Sequence, residues 1–194
     1  MYGVNKRLAE DGIKHNFQTI SGTTVISIQI NGTKFNVIPV YIRGADWNNE
    51  FQTLKNLFTN NIDTNTIFIG DMNVRIGRIQ QIHKSAFTAG LAQRTSEDTV
   101  INNKGKKLIE FCNDYGLVVL NGYTVGDENG ANTYLSNMGN SVNDICAISQ
   151  EALQFVEEFQ VEDKIWSDHM PIKLKLTLSG VDKGVKLMNL LPKF

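Results

Sequence analysis

Four short segments of this sequence place polar side chains where apolar runs end. Ile67-Phe68-Ile69 leads into Gly70-Asp71-Met72-Asn73, and the run Val37 to Val40 delivers Tyr41. Val142 leads to Asp144, a carboxylate set in an otherwise apolar run, and Trp166-Ser167-Asp168-His169 stands just before a final alternating stretch. Side chains at strand ends on a rigid sheet are held in fixed geometry, which catalysis requires. A carboxylate within an apolar run also needs a partner, because an unpaired buried charge is costly. Taken singly, each segment has an ordinary reading. Gly-Asp-x-Asn is a common turn, in which Asp and Asn cap their own backbone. Ser167-Asp168-His169 can be an ST- or Asx-turn opening a strand, Asp144 a buried residue tied to a backbone N–H, and Tyr41 a core residue. His15 and His83 read as surface residues. The four segments in this order form one constellation that no single ordinary reading covers.

The elements that must carry these residues follow from periodicity. Thr23 to Ile30 alternates, with Ile26, Ile28 and Ile30 on one face, and Asn31-Gly32 is a strong hairpin signal before a return run from Lys34 to Ile42. That run becomes apolar on both faces, as in a strand entering a sheet interior. Asp46 is placed to cap a helix whose Phe51, Leu54, Leu57, Phe58 and Ile62 fall at helical spacing. Thr66 to Ile69 reads as a buried strand. Residues 74 to 103 read as a long surface excursion. Leu108, Phe111, Cys112 and Tyr115 mark a second helix, stopped by Gly116. Further strands are expected at Leu117–Leu120, Asn132–Ser136, Val142–Ser149, Phe155–Val161 and Ile172–Leu178, whereas residues 1 to 22 are polar and weakly patterned. This order, mostly strands with two helices, implies stacked sheets flanked by helices rather than a regular βαβ alternation.

The chain of 194 residues is long enough for one sizeable core, and Lys plus Arg at 19 against Asp plus Glu at 20 leaves a net charge of −1. This excludes a histone-like polycation and an acidic tail protein, but not nucleic-acid binding by a locally basic groove. Cys112 and Cys146 sit in apolar contexts and read as buried thiols in a reducing compartment, and no Cys/His spacing points to zinc. No apolar run approaches membrane-spanning length and no secretory signal is visible, so the expectation is an intracellular protein, nuclear or cytoplasmic, with no membrane partner.

The chain resembles the endonuclease/exonuclease/phosphatase superfamily, and within it the endonuclease domains of non-LTR retrotransposons, relatives of apurinic endonucleases. The resemblance runs over residues 23 to 178. It is carried by Val40-Tyr41-Ile42, Phe68 to Asn73, Arg75-Ile76-Gly77, Arg94-Thr95-Ser96-Glu97-Asp98, Asn103-Lys104-Gly105, Leu117 to Gly122, Thr133-Tyr134, Ser141 to Asp144 and Trp166 to Ile172. Gly-Asp-x-Asn and Ser-Asp-His belong to the whole superfamily; Leu-Asn-Gly and Arg-x-Ser point to the retroelement branch. The resemblance implies an α+β fold of the DNase I-like type, a four-layer sandwich of two packed mixed sheets flanked by helices.

It also implies Mg²⁺-dependent (or Mn²⁺-dependent) hydrolysis of DNA phosphodiesters. His169 would be the base-side group and Asp144 its orienting partner. Asp71 would position the attacking water or serve the leaving group, and Asn73 and Tyr41 would donate to phosphate oxygens. Asp168 would help hold the divalent ion, which favours oxygen ligands. Thr133 and Ser167 would be phosphate contacts or supports behind them. Arg75, Arg78, Lys84, Arg94, Lys104, Lys106 and Lys107 would supply phosphate contacts along the excursion. DNA is the implied partner, with a reverse transcriptase domain in a longer polyprotein.

One departure matters. The superfamily pattern begins with a strand carrying an Asn, then a helix, then a strand bearing the principal metal-binding Glu. This sequence starts after them, and Glu10 does not lie at an apolar strand end. The domain is therefore read as a partial one over residues 1–178, lacking its first strands, with a linker or tail over 179–194 and impaired catalysis. Two alternatives stand beside the nicking endonuclease: a phosphatase of the same superfamily, and a non-catalytic DNA-binding remnant.

Overall fold

In the computed structural model, the structure describes residues 13–20, 22–61, 65–79, 93–163, 167–177 and 185–186. The Asn31-Gly32 signal becomes a tight turn, with Asn31 at φ +50° and Gly32 at φ +82°. It joins β2 (Thr23–Ile30) to β3 (Thr33–Tyr41), paired from Ile30 opposite Thr33. Both residues take the left-handed conformation that a two-residue hairpin requires. A strand absent from the sequence reading, β1 (Lys14–Ile20), pairs antiparallel with β2. It is an edge strand exposed over nearly its whole length, so no alternation of apolar residues marks it.

Beyond β3, α1 (Trp47–Asn61) crosses to β4 (Thr66–Asp71), which lies parallel to β3. Asp46 ends a short 3₁₀ turn before α1, and its carboxylate accepts from the Asn49 side chain. α2 (Asn103–Asp114) leads to β5 (Leu117–Val119). The Asn102 side chain caps α2 by accepting from Gly105 N–H at 2.7 Å, and Gly116, at φ +61°, stops it. A short hairpin follows, β6 (Tyr134–Ser136) and β7 (Gly139–Ser141), then β8 (Asp144–Ser149). β7 lies between the strands expected at Asn132–Ser136 and Val142–Ser149, and the second of these begins at Asp144. The remaining strands are β9 (Val156–Val161), β10 (Ile172–Leu176) and β11 (Val185–Lys186). β11 pairs with β10 within residues 179–194, the stretch read from the sequence as a linker or tail.

The strands form a six-stranded mixed sheet, β1-β2-β3-β4-β8-β5, and a three-stranded antiparallel sheet, β11-β10-β9. One apolar core joins the large sheet to the two helices, through Ile38, Val40, Phe68, Ile145 and Ala147 against Trp47, Phe51, Leu54, Phe58 and Phe111. Phe51 bridges the helices, stacked 4.4 Å from Trp47 and edge-on to Phe111 at 5.5 Å. The second core lies between the sheets, where Ile67, Ile69, Cys146 and Ile148 meet Phe159, Ile172, Leu174 and Leu176. Burying each such side chain stabilises the fold by roughly 1.5–3 kcal/mol. The described residues thus give an α+β arrangement of a helical layer and two packed sheets. Both cysteines are free and buried, and burial pushes their thiols up.

The excursion is less superficial than expected. Val74, Ile76, Arg94, Ser96 and Asp98 are buried, and Ile76 bridges to Ile101. Its middle, with Lys84 and His83, lies outside the described residues, as do residues 1–12. Among the described residues no helix is long and apolar enough to cross a membrane.

Candidate active site

Strand register builds the site. Tyr41 on β3 stands beside Asp71 on β4, and Asp71 stands opposite Asp144 on β8. Residues paired across a sheet point to the same face, and side chains alternate along each strand. Ile67 and Ile69, four and two positions before Asp71, and Cys146 and Ile148, two and four after Asp144, all face the core between the sheets. The row Tyr41–Asp71–Asp144 therefore lies on that face, at the rim where the intersheet core ends.

Gly70 is required for this placement. It sits at φ +143°, and a Cβ there would come within 2.0 Å of the Val40 carbonyl oxygen. The strand-to-loop transition after Asp71 is held by Trp47, whose Nε1–H donates to Met72 O at 2.8 Å, and by Met72 N–H donating to Asn143 O at 3.0 Å.

His169 reaches the row from the other sheet. Ser167 accepts from His169 N–H at 3.1 Å, an ST-turn that presents the ring just before β10. Leu135 N–H donates to Asp168 O and Met170 N–H to Thr133 O, so this loop is zipped onto the chain around β6. The imidazole packs 4.9 Å from the Tyr134 ring, and its Nδ1 lies 2.9 Å from Asp144 Oδ2. That bond favours the tautomer with hydrogen on Nδ1 and leaves Nε2 as the working nitrogen. The Asp144 bond, together with the Asp144, Asp71 and Asp168 charges, raises the proton affinity of His169 against the opposing effect of burial.

Asp71 is 7% exposed. Burial, aided by the neighbouring Asp144 charge, pushes its carboxyl up from 3.8 to about 6, against the pull of Asn73 N–H and His169. Asn73 sits at φ +47°, a left-handed position that Asn tolerates. Its backbone N–H donates to Asp71 Oδ1 at 2.8 Å, and its Nδ2 donates to Asp71 Oδ2 at 3.1 Å and to Ile42 O at 2.9 Å. Both amide hydrogens are thus engaged. The ordinary turn reading of Gly-Asp-x-Asn and the functional one describe the same residues: Asn73 orients Asp71 instead of offering a spare donor to phosphate.

The other expected site residues divide. Tyr41 is 43% exposed on the row itself, not a core residue. Ser167 and Asp168 are exposed on the His169 loop. Thr133 is 0% exposed, and its Oγ1 accepts from the N–H groups of Asn143 and Asp144 at 3.0 and 2.9 Å. Of the two alternatives for Thr133, this geometry is that of a support behind Asp144. Arg75 is engaged by groups of the protein itself. Its guanidinium is paired with Asp98 at 2.6 and 2.8 Å and also reaches Asn140 O, so it ties the excursion to the β7 region. Burial opposes the Asp98 charge, but Arg75 and the N–H groups of Val100 and Val142 hold that carboxyl below its usual range. Arg94, expected to contact phosphate, is 2% exposed and donates to Gly77 O and Asn121 O.

Two supporting residues had no assigned role in the sequence reading: Trp47 and Asn121. Leu-Asn-Gly drew attention as a motif, but nothing in the sequence shows that Asn121 faces β8.

The site lies between a mixed sheet and an antiparallel one in a DNase I-like arrangement, with a carboxylate row on the first and an imidazole from the second. The family described as "Endonuclease-reverse transcriptase" matches residues 35–173, and the chain belongs to it, within the endonuclease/exonuclease/phosphatase superfamily. Members of that superfamily are nucleases and phosphatases. Solved structures share the fold. They include the endonuclease domain of TRAS1, a telomere-specific non-LTR retrotransposon, at TM-score 0.56 and 15% identity over 80% of this chain and 64% of that one. An AP endonuclease from Archaeoglobus fulgidus matches at TM-score 0.53 and 13% identity, over 79% of this chain and 65% of that one. The 3′ phosphatase NExo from Neisseria, bound to product DNA hairpin, matches at 0.51 and 15%, over 79% and 65%. This chain thus spans a little under two thirds of the length of those three structures. No curated protein matches the sequence.

Proposed function

We propose that this protein hydrolyses DNA phosphodiester bonds as a retrotransposon-type nicking endonuclease, beside a reverse transcriptase domain of the same polyprotein. The observation that carries the reading is the pairing of a buried carboxylate, Asp71, with the Asp144–His169 dyad on one rim. The directions of the two shifts favour a division of labour. Asp71, ionised above about pH 6 yet more basic than an ordinary carboxylate, takes the proton of the attacking water. His169, whose proton affinity is raised by the bond to Asp144, donates when protonated through Nε2 to a non-bridging phosphate oxygen and spreads the charge that builds there. This exchanges the base-side role first given to His169. Tyr41, at the exposed end of the row, is placed to touch the flanking phosphate or sugar.

The reading includes a divalent ion, Mg²⁺ or Mn²⁺. Among the described residues no three His, Cys, Asp or Glu side chains converge on one point, so there is no closed cage. Mg²⁺ needs only one or two carboxylates and keeps its waters, and Asp168, exposed beside His169, fits one such position. When bound, the ion supplies charge neutralisation at the phosphate and its leaving oxygen.

The test is nicking of supercoiled plasmid in Mg²⁺ by the wild-type chain and by His169→Ala. The expected result is slow formation of open circles by the wild type, in keeping with the impaired catalysis read from the sequence, and none by the variant or in excess EDTA. Nicking by His169→Ala at the wild-type rate overturns the site. Nicking that survives chelation overturns the ion. Phosphate release from small monoesters without nicking points to the phosphatase alternative.

A further inference from the structure

β5 ends at Val119, and Leu120 N–H still donates to Cys146 O at 2.8 Å, but there the chain turns away from β8. Gly122, at φ +68°, enforces the turn, since a Cβ there would come within 2.0 Å of Thr95 O. The backbone cannot go on pairing with β8, and the Asn121 side chain takes its place. Fully buried, it donates from Nδ2 to Asp144 O at 3.0 Å and accepts at Oδ1 from Cys146 N–H at 3.0 Å. An amide that mimics one strand residue in this way fixes the partner strand in register and in rotation about its axis. On the preceding peptide, Thr133 Oγ1 takes Asp144 N–H. Asn121 is itself fixed, because its carbonyl accepts from Arg94 Nε at 2.7 Å.

We propose that Asn121 is a positioning residue, holding the Asp144 backbone so that its carboxylate meets His169 Nδ1. The inference rests on the nuclease reading for its kinetic consequence, but its geometric content does not. Without the amide the Asp144 carbonyl, at the start of β8, loses that donor, Thr133 Oγ1 is left to hold that residue's backbone from this side, and the Asp144 carboxylate gains freedom to swing at the rim. Displacements of about 1 Å at a reacting group cost on the order of a hundredfold in rate.

The experiment uses the full chain with Asn121→Ala, Asn121→Asp and, as a control on the neighbouring residue, Leu120→Ala, whose side chain fills the intersheet core. The first readout is the downfield NMR resonance of the His169 Nδ1 proton, which reports the bond to Asp144 without metal or substrate. The second is kcat against KM in plasmid nicking. In Asn121→Ala the resonance is expected to broaden or vanish and kcat to fall roughly ten- to a hundredfold, with KM unchanged. Asn121→Asp keeps the acceptor for Cys146 N–H but has no donor when ionised, so above neutral pH it shows the same losses. Leu120→Ala lowers Tm but keeps both the resonance and kcat. A wild-type resonance in a folded Asn121→Ala or Asn121→Asp chain overturns the proposal. If the wild type shows the resonance but no nicking, the nuclease reading fails while the resonance still decides the role of Asn121.

Discussion

Asp71→Asn separates what the buried carboxylate does for chemistry from what it does to stability. A carboxyl raised from 3.8 to about 6 binds protons more tightly folded than unfolded. The folded state is therefore favoured at low pH, and stability falls as pH rises through the window from 3.8 to about 6. At full effect this shift corresponds to roughly 3 kcal/mol, and contact with solvent at the rim reduces it to about 2 kcal/mol. The asparagine removes that cost. It keeps the acceptor for Asn73 N–H, but turns its own NH₂ toward Asn73 Nδ2 and forfeits one hydrogen bond, worth about 1 kcal/mol. The variant should therefore be about 1 kcal/mol more stable than wild type at pH 8 and about 1 kcal/mol less stable at pH 4. The assay is urea denaturation of both chains at intervals from pH 4 to 8 with chelator present, comparing midpoints at equal m. Asp71 and His169 interact through their charges, so the swing of about 2 kcal/mol is the quantity to measure rather than its midpoint. A difference that stays flat with pH refutes the reasoning. So does a variant that is least stable at pH 8, because Asp71 would then be gaining from an ion pair.

Two further outcomes follow from contacts elsewhere. Gly70→Ala should leave little folded protein, because the new Cβ meets the Val40 carbonyl at 2.0 Å in a conformation foreign to alanine; expression with a solubility assay and circular dichroism checks it. Lys104 and Lys107 hold their ammonium groups 5.9 and 6.0 Å from the Trp47 ring, and Lys104 also donates to Gly44 O. Replacing both with Gln should weaken DNA binding and lower the salt slope of log K by about 2, while hydrolysis of a small phosphodiester is unchanged. An unaltered slope removes these lysines from the DNA path.

The legible parts of the fold were those in which one residue type has one local use. Asn31-Gly32 fixed a hairpin, Gly116 a helix end, and the alternation in β2 and β10 a half-buried strand. Other parts depended on what lies across space. β1 carries no apolar face because it covers an edge. The ends of the excursion look polar because Arg75 pairs with Asp98 and Arg94 donates to the Gly77 and Asn121 carbonyls, contacts that a sequence does not display. The site divides in the same way. Asp71, Asp144 and His169 were visible because they interrupt or terminate apolar runs. The tasks of Asn73, Thr133 and Asn121 were not, because an amide or hydroxyl in a sequence does not show which backbone group it faces.

This difference bears on how the rim tolerates its charge. Asp71 and Asp144 are adjacent in register, and like charges on neighbouring strands are destabilising. A sheet selected for stability alone would place an apolar or small polar residue at one of the two positions. Both carboxylates are retained, and each has a dedicated group that limits where it points: Asn73 takes both oxygens of Asp71, and His169 takes Oδ2 of Asp144. The imidazole answers Asp144 directly but Asp71 only through its charge, so the Asp71 carboxyl, raised chiefly by burial, is left without a bonded cation among the described residues. The asymmetry is therefore set by His169 being bonded to one carboxylate and not shared between them. An imidazole bonded to Asp71 instead would offset the burial that raises its carboxyl and remove the basicity that the proposed water-activating role uses.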